Sequence, residues 1–285
     1  MRTIIQALAI ALAATTAASA QPLTGQRQSV IVAPGDTLWS IGSQFGVDPA
    51  TIARDNDRAR DAPLAVGETL TLDNRHVVPV MMPGTTLLVN VPQRMLFHVA
   101  ASGVTGYPVA VGRAGWPTPR GAFSIVTREV NPTWDVPASI REEARQAGRS
   151  LPSRIPPGPG NPLGAYWLGL SLGSIGIHGT NVPSSVYHAV THGCIRLLPD
   201  DIAALFARVQ VGTTGTLVYE PVVVAFDGYD VFVEAHPDVY RRGPADVIAF
   251  VRDQARMLGV FDRVDWKVAG QVIRERAGIA RVVTQ

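Results

Sequence analysis

A chain of 285 residues with 46% hydrophobic and 17% charged residues has apolar content enough for one large folded domain or two. Its net charge of +2 gives nucleic acid no electrostatic foothold, and the absence of any run of five or six like charges removes acidic tails and polybasic membrane patches from consideration. With 22 prolines and 27 glycines, the composition favours a β-rich, loop-rich fold, mainly β within an α+β arrangement, over a helical one.

The first residues set an expected compartment. Met1-Arg2 is positive, Ile4 to Ala14 is apolar, and Ala18-Ser19-Ala20 ahead of Gln21 has the small-x-small form that signal peptidase cuts. The apolar run is shorter than the roughly 20 residues of a membrane helix, and no cysteine follows it for lipidation. The expectation is therefore a signal peptide over 1–20, cleavage after Ala20, a periplasmic protein, and no membrane span anywhere in the chain. Export sharpens the meaning of the lone cysteine, Cys194. An oxidising compartment consumes free thiols, so an unpaired one needs a chemical reason to be there.

Residues 29–73 form a small unit of their own. Ser29-Val30-Ile31-Val32 is strand-like, and Pro34-Gly35-Asp36-Thr37 turns into a helix with Leu38, Ile41 and Phe45 on one face. A second helix fits Pro49 to Asp55, and Val66 to Leu72 closes the unit with an alternating strand. This βααβ pattern, with Gly35-Asp36-Thr37-Leu38, Asn56 and Gly67-x-x-Leu70, resembles a LysM domain. The resemblance implies binding to N-acetylglucosamine-containing glycan, in practice peptidoglycan. Trp39 fits a sugar-stacking ring and a core aromatic equally well.

From residue 76 to 220 the chain alternates short strand candidates (87–91, 95–99, 109–111, 122–126) with proline and glycine turns. Helices are expected at Ser139 to Gly148 and Asp200 to Val209. Between Asn131 and Gly164 seven prolines preclude regular structure over much of the span, and a loop this long suits a lid over a site. Residues 221–285 hold a hairpin around Asp227-Gly228 and two amphipathic helices, near 245–258 and 264–277. These helices are expected to pack on the preceding domain, since neither buries its apolar face alone.

The chemistry concentrates around the thiol. Cys194 lies in Thr191-His192-Gly193-Cys194-Ile195-Arg196-Leu197, sixteen residues after His178 in Ile177-His178-Gly179-Thr180. A thiol, two imidazoles and a glycine-bracketed backbone are the parts of a thiolate that attacks an acyl carbon. A thiol with an ordinary pKa near 8.5 is only a few per cent ionised at neutral pH and needs a base beside it. His188 and His192 have His-x-x-x-His spacing, but no glutamate of a metalloprotease helix stands between them and a metal would sequester the thiolate, so neither metal nor cofactor is expected. Arg196 suits a substrate carboxylate, with pairing to Asp200 or Asp201 as the alternative.

Taken together, these residues resemble the L,D-transpeptidase (YkuD) family, whose signature is a His-Gly and, after a gap, Ser/Thr-His-Gly-Cys-x-Arg. Supporting matches are Val111-Gly112-Arg113, Thr118-Pro119-Arg120-Gly121-Ala122-Phe123, Asn131-Pro132-Thr133-Trp134 and Gly158 to Gly164. The last two are similar to the periplasmic branch that attaches the Braun lipoprotein to the wall, and Arg120 departs from the smaller residue frequent there. The resemblance implies a β-rich catalytic domain over 76–220. It makes Cys194 the nucleophile and His178 the base, held in its tautomer by a following carbonyl. The amides of His192, Gly193 and Cys194 then form the oxyanion hole, and Thr191, Gly179 and Arg196 face substrate. His192 adds either its side chain or its backbone alone. The implied reaction removes the terminal D-alanine from a peptidoglycan tetrapeptide stem and passes the acyl group to an amine of another stem, a lipoprotein or an outer-membrane protein. Water as acceptor makes an L,D-carboxypeptidase or hydrolase of the same site. A wall-binding protein with a spent site is the third reading, against which the intact Cys194, His178 and Arg196 count.

Overall fold

The computed structural model describes residues 22–285. The leader expected over 1–20 lies outside the described residues. The N-terminal unit pairs β1 (Arg27–Ile31) antiparallel with β2 (Thr69–Asp73) and sets α1 (Leu38–Phe45) and α2 (Pro49–Asp55) across them. Helix α1 starts where it does because Thr37 and Ser40 cap each other, each side chain accepting the other's backbone N–H at 3.0 and 2.9 Å. Asp48 caps α2 with Pro49 in its first turn. Val32, Leu38, Ile41, Ile52, Leu70 and Leu72 fill the interior, and they share it with Ala277 and Ile279 from the far end of the chain. The unit is thus stitched to the C-terminus, with Thr51 Oγ1 donating to the Ala277 carbonyl at 2.7 Å and Arg281 paired with Asp55 at 2.7 Å.

The larger unit is an eight-stranded sheet of β3 (Leu87–Asn90), β4 (Met95–Ala100), β5 (Gly103–Pro108), β6 (Gly121–Val130), β7 (Tyr166–Leu170), β8 (Gly176–His178), β9 (Ile195–Arg196) and β10 (Thr214–Val218). The strands lie in the order β9-β8-β7-β6-β10-β3-β4-β5, parallel at β9/β8 and β10/β3 and antiparallel elsewhere. Its core holds Leu87, Leu96, Phe123, Ile125, Leu168 and Ile177 together with Ile202 and Leu205 of a helix over Pro199–Arg208. The proline-rich span carries α3 (Ala138–Gln146) and a two-residue ribbon, Trp134–Asp135 against Arg154–Ile155. Buried Asn161 closes the base of that span by donating to the Pro132 carbonyl at 2.8 Å and accepting the Leu163 N–H at 2.9 Å.

The last segment forms the hairpin β11 (Val222–Phe226) and β12 (Val231–Ala235), then helices over Val247–Met257 and Trp266–Glu275. These helices cover the hairpin and not the eight-stranded sheet: Val251, Ala255, Ala269 and Val272 meet Val222, Val224, Val231 and Val233. The hairpin makes this possible because it carries apolar side chains on both faces. Its other face, Val223, Ala225 and Phe232, buries Val77 and Ala280. A buried cluster ties the units together, His76 bridging Glu234 at 2.7 Å and the Gly46 carbonyl at 2.9 Å.

Candidate active site

The parallel pairing of β8 with β9 places the chemistry. Ile177 lies opposite Ile195 and His178 opposite Arg196. Both isoleucines are fully buried in the core, so the two-residue period of a strand turns Gly176, His178, Cys194 and Arg196 to the other face. Strand β7 adds to that face: Leu168 pairs with Ile177 on the core side, and Trp167 pairs with His178 on the outer side. The Trp167 and His178 rings stack with centroids 5.8 Å apart and 25° between planes. Gly176 makes room for the indole, since a Cβ there would lie 2.3 Å from its Cη2.

His178 is buried, and its Nδ1 lies 2.7 Å from the Gly179 carbonyl. A carbonyl only accepts, so Nδ1 carries the proton and Nε2 is left with a lone pair. Burial, with the nearby Arg196 cation, pulls the imidazole pKa down to about 3 against the Gly179 and Leu163 carbonyls. The half-buried thiol of Cys194 lies 3.8 Å from the Ser174 carbonyl. Burial pushes its pKa up, partly offset by the Gly176 amide and Arg196. Both directions favour a neutral thiol and a neutral imidazole at rest.

The turn carrying the thiol is braced from within. Thr191 Oγ1 donates to the Cys194 carbonyl at 2.6 Å and accepts the Gly193 N–H at 3.2 Å. The Gly193 amide, expected to face an oxyanion, is therefore engaged elsewhere, and the buried Thr191 hydroxyl is a strut where contact with substrate was expected. Among the described residues the His192 and Cys194 amides donate to no protein acceptor. Gly193 sits at φ +106°, where a side chain is strained. Gly179, also expected at the substrate, gives its carbonyl to His178 and abuts Ile202 and Leu163.

Arg196 donates to the Ser185 hydroxyl at 2.9 Å, while its buried Nε has no partner among the described residues. It forms no ion pair with Asp200 or Asp201. The His192 ring reaches α3, where Nε2–H donates to Glu143 at 3.0 Å, and Glu143 also binds Arg113. Arg113 first and His192 second hold the Glu143 carboxyl below the usual range. His188 lies against Trp39 with centroids 5.1 Å apart and the rings tilted by 44°, so the two histidines of the His-x-x-x-His spacing diverge. Trp39 is 42% exposed and lies under the Arg60 guanidinium, which makes it an interface ring and not a core residue. A cavity of about 540 Å³ opens over these groups, walled by Trp134, Ile140 and Glu143 of the proline-rich span opposite His178, Cys194 and Arg196.

Residues 84–224 match the model of YkuD, the L,D-transpeptidase catalytic domain, and residues 30–73 match that of the LysM domain. YkuD of Bacillus licheniformis, which carries an L,D-transpeptidase name, is 33% identical over 189 residues, covering 64% of this chain and 93% of that protein. The chain belongs to the L,D-transpeptidase family. ErfK/SrfK of Escherichia coli strain K12, also named for that activity, is 33% identical over 207 residues, which span 70% of this chain and 66% of the relative's length. An NMR structure of the Enterococcus faecium L,D-transpeptidase catalytic domain acylated by ertapenem is 20% identical, covers 48% of this chain and 98% of that one, and superposes with a TM-score of 0.37.

In this member of the family, Cys194, His178, His192 and Arg196 all line one cavity, as does Thr191. Glu143, Trp167 and Ser185 were not legible as site residues. Each reaches the site across a fold contact, and a lone Glu on a helix or Trp in a strand carries no motif. Thr118 stands in a recognised motif, yet its task, an Oγ1 donating to the Gly193 carbonyl at 2.9 Å, follows only from the packing.

Proposed function

We propose that this protein is a peptidoglycan L,D-transpeptidase that works through a thioester on Cys194. As Sγ attacks the carbonyl at the L-centre of the third stem residue, His178 Nε2 takes its proton. The His192 and Cys194 amides receive the oxyanion. Collapse breaks the bond to the terminal D-alanine, which leaves as an amine with the proton from His178. An acceptor amine then attacks the thioester, gives its proton to His178, and restores the thiol. Arg196 binds a substrate carboxylate, a role supported by its position in the cavity with no carboxylate partner among the described residues.

The observation that carries this reading is the β8/β9 register: with Ile177 and Ile195 committed to the core, a neutral imidazole, the thiol and a guanidinium with no carboxylate partner among the described residues share one cavity wall. The LysM unit would hold glycan while the stem enters the cavity. The leader residues and the free thiol support a periplasmic protein, cleaved after Ala20. The test is incubation with tetrapeptide stem and an amine acceptor, followed by mass spectrometry. D-Alanine release with an acyl–amine product is the expected result. Release with water alone as acceptor would make the protein a carboxypeptidase, and no release together with no adduct on Cys194 would overturn the reading.

A further inference from the structure

The C-terminal unit, outside the segment that matches the catalytic domain, reaches the back of the thiol-bearing turn through one side chain. Tyr240 OH donates to the Gly112 carbonyl and accepts the Thr118 N–H at 3.1 Å. Thr118, with no exposed surface, accepts the Gly112 N–H at 2.8 Å and donates from Oγ1 to the Gly193 carbonyl at 2.9 Å. Gly112 cannot shift to compensate, because its Cα lies hard against the Trp116 carbonyl, 2.1 Å from where a Cβ would stand. Tyr240 is held in turn. Its backbone N–H donates to Tyr219 OH at 2.7 Å, Tyr219 OH donates to Asp238 at 2.6 Å, and the two rings stack at 5.2 Å.

The Gly193 carbonyl belongs to the same peptide unit as the Cys194 N–H. In a trans peptide these two groups point in opposite directions, so anchoring the carbonyl on Thr118 aims the N–H away from Thr118. The peptide units on either side are fixed by Thr191, through the Gly193 N–H and the Cys194 carbonyl. Only the central unit depends on Thr118, and Thr118 depends on Tyr240. We propose that Tyr240 is a positioning residue for acyl transfer: its hydroxyl, acting through Thr118, sets the direction of the Cys194 N–H that receives the oxyanion. The inference rests on the acyl-transfer reading above.

Tyr240→Phe removes one oxygen from an otherwise intact full-length chain. Two reagents separate the possible effects. Ertapenem acylation passes through an oxyanion, whereas alkylation by iodoacetamide is a displacement at saturated carbon that forms none. In Tyr240→Phe the acylation rate at saturating ertapenem should fall about tenfold, less than loss of an oxyanion donor itself, while iodoacetamide alkylation stays within about twofold of wild type. Thr118→Val should lower acylation in the same way. The double variant should be no slower than Thr118→Val, since the two residues act in one chain. Wild-type acylation in Tyr240→Phe, or an equal fall in alkylation, would overturn the inference. A wild-type chain that takes no ertapenem would overturn the acyl-transfer reading beneath it.

Discussion

Gly176→Ala is the smallest change that should disturb both stability and the base. The added Cβ would lie 2.3 Å from Cη2 of Trp167 and 2.5 and 2.6 Å from its Cζ2 and Cζ3. Carbon atoms rest at about 3.5–4.0 Å, so the indole has to retreat by roughly 1 Å or more. Trp167 is held in β7 and stacked on His178, which leaves overpacking strain of about 1–3 kcal/mol. For a unit of this size each kcal/mol lowers Tm by roughly 2–4 °C, so a midpoint of about 2 kcal/mol gives a fall of roughly 4–8 °C. Because the displaced indole carries the imidazole with it, ertapenem acylation should slow by about tenfold or more. Scanning calorimetry and intact-protein mass spectrometry read the two effects. Adding Trp167→Leu to Gly176→Ala should recover most of the lost Tm, a coupling of about 1–2 kcal/mol. Wild-type melting in Gly176→Ala, or simple addition of the two losses, would refute the reasoning.

Cys194→Ser should abolish acylation and His178→Ala should cost a similar factor, because nucleophile and base act as a unit; near-normal turnover of a tetrapeptide stem by either would misassign them. Alkylation of Cys194 by iodoacetamide should be slow at pH 7 and rise only through a pKa above the ordinary thiol range, as burial favours the neutral thiol. A rate already on its plateau at pH 6 would mean a resting thiolate–imidazolium pair. Arg196→Lys should raise KM for a tetrapeptide about tenfold with little change in kcat, since a point charge replaces a fork on the carboxylate, and an unchanged KM would remove Arg196 from binding. Deleting residues 22–73 exposes Ala277 and Ile279 and breaks the Ser43 bond to the Val186 carbonyl at 2.9 Å. The truncated protein should melt well below the full chain, and an unchanged Tm would make the LysM unit autonomous.

Much of the candidate site was legible in the sequence. A lone cysteine, a histidine sixteen residues before it, and a glycine beside it are local facts, and their chemistry does not depend on where they pack. The LysM unit was equally legible, because its caps and apolar periods lie within 45 residues or so of one another and act through local physics. The C-terminal helices were different. Their amphipathic faces called for a partner, and only the fold supplied it: the hairpin carries valine and alanine on both faces, so one face could take the helices and the other Val77 and Ala280.

What the sequence by itself determined is the set of candidate groups, Cys194, His178 and Arg196, each a residue whose type restricts what it can do. What only the tertiary structure decided is how those groups are held. The Gly193 amide went to Thr191, the His192 ring to Glu143, and the Gly193 carbonyl to Thr118 and through it to Tyr240. The physical reason is that a hydrogen bond is specified by distance and direction, not by residue type. A threonine or tyrosine has many acceptors within its reach in the sequence, and the β8/β9 register and the packing of the C-terminal unit select the one it meets.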